Sequence, residues 1–219
     1  MTDRNEILRR TEAHVREQMH GEGTGHDWWH VDRVRRMALR LARDEGADPY
    51  VTELAALLHD IADHKFHGGD ETAGPRAARA WLTGAGAGAE DVEHVATIVA
   101  QLSFKGAGVA TPMSTAEGRV VQDADRLDAI GAIGIARAFA YGGSRGRPLH
   151  EPAAAPEMHD SFERYKSSTG PTINHFHEKL LLLRDRMNTA AARRIADERH
   201  RFMEAYLDRF QREWDSVDG

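Results

Sequence analysis

Apolar residues return every three or four positions along almost the whole chain, and nowhere in the sustained alternation of a half-buried strand. This periodicity restricts the chain to helices packed on helices, an all-α fold. Residues 3–19 read as a first amphipathic helix, closed by "GEGTGH" at 21–26. Asp27 fits the N-cap of a second helix over about 28–45, which ends near Gly46. Pro49 suits the first turn of a third, expected to reach about residue 63. "HGGDE" at 67–71 is a loop, followed by short helices over about 72–82 and 89–101 on either side of the glycine-rich "TGAGAGA". Ser114 and Glu117 make a capping-box pattern before one helix from about 115, with Gly131 and Gly134 as weak points and Gly142 and Gly143 as its end. A loop with three prolines covers 143–156. Thr172 then fits the cap of a helix to about 187, and a last helix covers 189–213.

The chain has 219 residues, enough for one or two domains with a real core. A net charge of −6 argues against nucleic acid or an anionic membrane as the main partner, since both select basic surfaces. A small phosphorylated ligand needs only a local cluster of bases. No segment reaches the roughly 18–20 apolar residues of a membrane span, and "MTDRNEILRRTEAHVREQMH" lacks the apolar stretch of a signal peptide, so a cytoplasmic location is expected. With no cysteine, a transition metal would have to be held by histidine and carboxylate.

"ELAALLHDIADHKFHGGDE" at 53–71 places an imidazole and two carboxylates within one turn of an otherwise apolar helix. On a helical wheel Asp60 lies about 100° and Asp63 about 40° from His59. The three share a stripe opposite Leu54, Leu57, Leu58 and Ile61. Read alone, such a stripe is also what the wet face of an amphipathic helix carries. His30 falls on the apolar stripe of the second helix, with Val34, Met37, Ala38 and Leu41, where a hydrogen-bonded core histidine would also fit. Asp123, Asp125 and Asp128 crowd the helix after 115. Asp125 and Asp128 face away from Val120, Ala124 and Leu127, and Asp123 lies at the edge of that apolar side. Trp28 and Trp29, flanking His30, read as core or site-wall residues.

"HDWWHVDRV", "ELAALLHDIAD" and "QDADRLDAIG" resemble, in order and spacing, the successive motifs of the HD-domain metal-dependent phosphohydrolase superfamily. The resemblance covers about residues 26–140. It implies a single helical HD-type bundle over 1–219, with a metal-binding core at about 22–145 and C-terminal helices at about 157–213 that complete the site. It also implies His30, His59, Asp60 and Asp125 as ligands of one divalent ion. Two imidazoles and two carboxylates neutralise such an ion and leave positions for water and phosphate oxygens. Mn²⁺ or Mg²⁺ suits these donors and phosphate chemistry, and Zn²⁺, Fe²⁺, Co²⁺ and Ni²⁺ remain open. Asp63, where the superfamily often carries an acid, either orients and deprotonates the attacking water or holds His59 or His30 in place.

"GIARAFAYGG" and "TINHFHEKLLLLRDRMNT" resemble a bacterial subgroup associated with nucleotide pyrophosphohydrolase activity. The expected reaction is hydrolysis of ribo- or deoxynucleoside triphosphates to monophosphate and pyrophosphate. Lys65 and Arg126, beside the metal motifs, and Asn174, His175 and Lys179 in "NHFHEK" are candidate partners for the substrate, although each also fits a solvated helix face. "YGGSRGRP" at 141–148 is a basic loop without the ending of a Walker A loop. Nucleoside monophosphate phosphatase activity is the alternative within the class. A di-iron oxygenase, for which His64, His67 and His94 offer further ligands, and a non-catalytic nucleotide-binding module are the alternatives outside it.

Overall fold

Aspartate side chains start the first three helices. Asp3 caps α1 (Arg4–Gln18), accepting from the Asn5 N–H. Asp27 caps α2 (Trp28–Glu45), accepting from the His30 N–H at 2.9 Å. Asp48 caps α3 (Pro49–Leu58), accepting from the Tyr50 and Val51 N–H groups. Gly46 closes α2 at φ 69°, a left-handed conformation that glycine adopts without cost. The computed structural model describes residues 3–21, 25–62, 70 and 72–217. Among them the chain is helical and has no strand, the all-α fold that the periodicity requires. No helix among the described residues is long and apolar enough to cross a membrane.

The chain forms two compact units, residues 1–105 with 110–125, and residues 106–109 with 126–219. In the first, α3 is central, packed against α1, α2 and α5 (Ala89–Gln101), while α4 (Ala73–Ala85) lies on α5 and α1. Leu54, Ala55, Ala56, Leu57 and Leu58 are all fully buried. Arg35 of α2 bonds Glu53 of α3 and reaches Glu12 of α1 at 3.0 Å, tying three helices together. Trp81 of α4 stacks on His14 and donates to Thr11 Oγ1 at 2.9 Å. α6 (Ala116–Asp128) is the last helix to contribute to this unit.

In the second unit, α10 (Ala190–Trp214) packs on α7 (Gly131–Ser144) and on a 3₁₀ helix (Leu180–Arg186). α9 (Thr172–Glu178) also contacts α7 and the 3₁₀ helix. Phe139, Phe176 and Tyr206 meet ring to ring between 5.9 and 6.3 Å. Arg186 holds the 106–109 segment, donating to the carbonyls of Gly106, Ala107 and Val109.

Several boundaries differ from the expectation. α3 ends at Leu58, so His59 and Asp60 lie in a turn beyond the helix and not on its face. The Ala56 carbonyl, which another helical turn would give to the N–H of residue 60, meets His59 Nδ1 at 2.7 Å. The Ile61 N–H bonds the Leu58 carbonyl, tightening the turn. The single helix expected from 115 is two, α6 and α7, broken at Ala129 and Ile130, where Gly131 takes φ 74°. Gly142 and Gly143 lie inside α7 and do not end it. The Ser114–Glu117 capping box does not form: Thr115 Oγ1 accepts from the Gly118 N–H, and Glu117 accepts from the Asp48 N–H. Thr172 is the first residue of α9 and not its cap, and the expected run to 187 breaks at Lys179, at φ −143° and ψ −59°. A short helix, α8 (Phe162–Ser167), lies within the span of about 157–213 where C-terminal helices were expected.

Candidate metal centre

Three segments of the first unit bring their donors together. α2 carries His30, and the Asp27 cap bonds the backbone N–H of His30 itself. The turn after α3 supplies His59 and Asp60, and α6 supplies Asp125. His30 Nε2 lies 3.1 Å from His59 Nε2, 3.3 Å from Asp60 Oδ2 and 3.6 Å from Asp125 Oδ1. His59 Nε2 lies 3.6 Å from Asp60 Oδ2 and 3.9 Å from Asp125 Oδ1.

These separations suit a shared cation. Donors around one ion with bonds of about 2.1 Å stand about 3.0 Å apart in an octahedron and about 3.4 Å apart in a tetrahedron. The proton inventory agrees. The Ala56 carbonyl can only accept, so His59 carries a proton on Nδ1 and turns Nε2 inward. A divalent cation among the four atoms would satisfy both nitrogens and both carboxylates. Burial pushes Asp60 up. The charges on His59 and His26, with hydrogen bonds from His26 and His30, outweigh it and hold the carboxyl well below the usual carboxylate range. Asp60 is therefore ionised at neutral pH. The His30 side chain has no exposure and that of Asp125 has 35%, so the centre has a dry imidazole wall and opens on the Asp125 side.

The other sequence-predicted residues fall elsewhere. Asp63 and Lys65 lie outside the described residues, as do His64 and His67. Arg126 is buried and donates to the Arg186 carbonyl within the second unit. Asn174, His175 and Lys179 also belong to that unit. There Asn174 is buried, donates to the Ala154 carbonyl at 2.9 Å and, with Glu178, lines a cavity of about 280 Å³. Asp123 is fully buried. Asp128, expected on the polar side, is buried and paired with Arg137 at 3.0 Å. Trp28 is in the core, whereas Trp29 is 59% exposed and belongs to no core. His94 pairs with Glu117 at 3.4 Å.

His26 is the residue that sequence reasoning missed. Its Nδ1 lies 2.8 Å from Asp60 Oδ2. The available signal was its four-residue spacing from His30. His26 precedes the Asp27 cap, however, so a helical wheel does not place it.

The HD domain family profile matches residues 28–130, a span that contains all four converging donors. YpgQ of Bacillus subtilis is 38% identical over 200 residues, covering 90% of this chain and 88% of YpgQ. The chain belongs to the HD-domain superfamily of metal-dependent phosphohydrolases. A crystal structure of a superfamily hydrolase from Bacillus thuringiensis is 40% identical at a TM-score of 0.74, covering 97% of this chain and 99% of that one. A protein from Lactobacillus plantarum reaches a TM-score of 0.87 at 37% identity, covering 99% of this chain and all of that one. YpgQ has been crystallised in complex with ADP, and that structure has a TM-score of 0.74 at 35% identity, covering 96% of this chain and all of the crystallised one. The HD-domain match and the geometry bear on the same segment, since the profile spans both the His59–Asp60 turn and Asp125.

Proposed function

We propose that this HD-domain protein hydrolyses nucleoside triphosphates, ribo or deoxy, to the monophosphate and pyrophosphate. A divalent ion, Mn²⁺ or Mg²⁺ by preference, would be held by His30, His59, Asp60 and Asp125. The approach of His30 and His59 to 3.1 Å, with the Asp60 and Asp125 carboxylates each 3.3–3.9 Å from both imidazoles, carries the reading. The ADP complex of YpgQ supports a nucleotide as the ligand.

A divalent ion bound there supplies charge neutralisation for phosphate oxygens and acidifies water. The protein's own groups set the geometry. His59 is oriented by its Nδ1–H on the Ala56 carbonyl, and His30 by the capped start of α2. Asp60, ionised and partly enclosed, contributes fixed negative charge, and the more open Asp125 marks the side from which a phosphate chain enters. In the reaction the water oxygen forms a bond to the α-phosphorus while the bond from that phosphorus to the bridging oxygen breaks. Pyrophosphate leaves with the bridging oxygen. We assign the water-handling role to Asp63 and a phosphate contact to Lys65.

Turnover in ¹⁸O-water tests the reaction. With Mn²⁺ and a panel of nucleoside triphosphates, the label is expected in the monophosphate and absent from pyrophosphate. Label in pyrophosphate would move the attack to the β-phosphorus. Orthophosphate released from monophosphates, with triphosphates left intact, would replace this reading by a monophosphatase. Asp63→Asn is expected to lower kcat by about 10²-fold or more, the scale of general acid–base catalysis, with Mn²⁺ affinity nearly unchanged. Equal losses in both would make Asp63 a support for the ligands instead.

A further inference from the structure

Asp60 Oδ2 is the meeting point of three imidazoles. His26 Nδ1 stands 2.8 Å away, His30 Nε2 3.3 Å and His59 Nε2 3.6 Å. The last two belong to the proposed ligand set, and His26 does not. We propose that His26 is a positioning residue of the metal centre: its Nδ1–H holds Asp60 Oδ2 so that the carboxylate's remaining lone pairs face the cation. The proposal rests on the ligand assignment made above.

The donor direction follows from chemistry. An ionised carboxylate only accepts, so a nitrogen 2.8 Å away must carry the proton. A protonated nitrogen cannot also ligate a metal. His26 thus acts on the ligand, as the outer partners of metal-bound groups do. Grouping of the donor atoms agrees. His26, His30 and Asp60 lie within 4.8 Å of one another, whereas His59 and Asp125 group with His30 and not with His26. His26 therefore stands beside Asp60 and His30 and does not join the His30, His59 and Asp125 group. The backbone fixes it there. Gly25 precedes it at φ 88°, a conformation that L side chains rarely adopt, and Asp27 follows as the cap of α2. The ring meets His30 edge-on, with centroids 5.5 Å apart and planes at 76°, so its rotation is limited.

Titration calorimetry of the full-length apoprotein with Mn²⁺ tests this, using His26→Ala, His26→Asn and His26→Gln. The amide nitrogen of asparagine sits about where Nδ1 sits, and that of glutamine lies one carbon further out. His26→Ala is expected to weaken Mn²⁺ by about 10–100-fold, His26→Asn to recover most of that loss, and His26→Gln to recover little. A purely structural role would not rank asparagine above glutamine. The visible spectrum of the Co²⁺-saturated protein is expected to be the same in all variants, because no ligand is lost. Wild-type affinity in His26→Ala, or equal affinity in the asparagine and glutamine variants, overturns the proposal. So does a changed Co²⁺ spectrum, which would make His26 a ligand. Should His26→Ala fail to fold, the asparagine–glutamine ranking decides alone. A wild-type protein that binds neither ion overturns the ligand assignment itself, which separates that failure from the failure of His26.

Discussion

Replacing His59 with alanine is expected to abolish divalent-cation binding and metal-dependent hydrolysis together. Nε2 of His59 is one of four donors, and its separations from the other three are 3.1, 3.6 and 3.9 Å. Water cannot take its place cheaply, because the ring is buried and its Nδ1–H is fixed to the Ala56 carbonyl. Loss of an outer partner of a metal ligand costs about 10–100-fold in affinity, and loss of a ligand should exceed that, at ~10³-fold or more. Two further charges then work against the site. Asp60 and Asp125 remain as carboxylates without the imidazole that stood 3.6 and 3.9 Å from them. The readout need not be catalysis. Mn²⁺ at about 100 times its Kd should stabilise the wild-type protein by about 2.7 kcal/mol, or roughly 5–10 °C in Tm for a chain of this size. His59→Ala should show no such shift while its apoprotein keeps the wild-type far-ultraviolet circular dichroism. A variant that folds and still gains the full shift would remove His59 from the ligand set.

The elements that were legible in the sequence were those whose ends are written in single residues. Asp27 and Gly46 bound α2 as read, because a cap and a left-handed glycine act locally. The motif residues His30, His59, Asp60 and Asp125 were legible as types in a known order. Their geometry was not. The wheel that set His59 and Asp60 on a polar stripe assumes a helix with one wet face, whereas α3 is buried on all sides and ends before both residues. What brings them to His30 is the turn that His59 itself stabilises through Ala56, an interaction with no periodic signature. The same limit hid His26, whose partner is 34 positions away. Asp128 misled for a different reason: its pairing with Arg137 lets a carboxylate lie buried where polarity alone predicts exposure.

Gly134→Ala should destabilise the protein by about 2 kcal/mol or more, although helix propensity alone predicts a gain of about 0.8–1 kcal/mol from the same change. The reason is the turn between α6 and α7. A Cβ on Gly134 would stand 2.2 Å from the Ala129 carbonyl oxygen and 2.4 Å from its carbon. Both are backbone atoms, so no rotamer change relieves the contact, and Ala129 itself is held by its N–H bond to the Arg126 carbonyl at 3.2 Å. The turn would have to open, and forcing extra volume into a packed site costs about 1–3 kcal/mol even when side chains can yield. Gly143, in the same helix, is the internal control. It is exposed, and a Cβ there meets nothing within 4 Å, so Gly143→Ala should follow propensity and stabilise by up to about 1 kcal/mol. Urea unfolding of the two variants, read against the wild type with m held constant, compares them directly. Destabilisation of Gly134→Ala beside stabilisation of Gly143→Ala is the expected pair. Equal shifts of the same sign would mean that propensity governs both positions and that the α6–α7 turn yields freely. The contrast bears on the metal centre because α6 is the helix that carries Asp125, and the turn that closes α6 is the one that Gly134 permits.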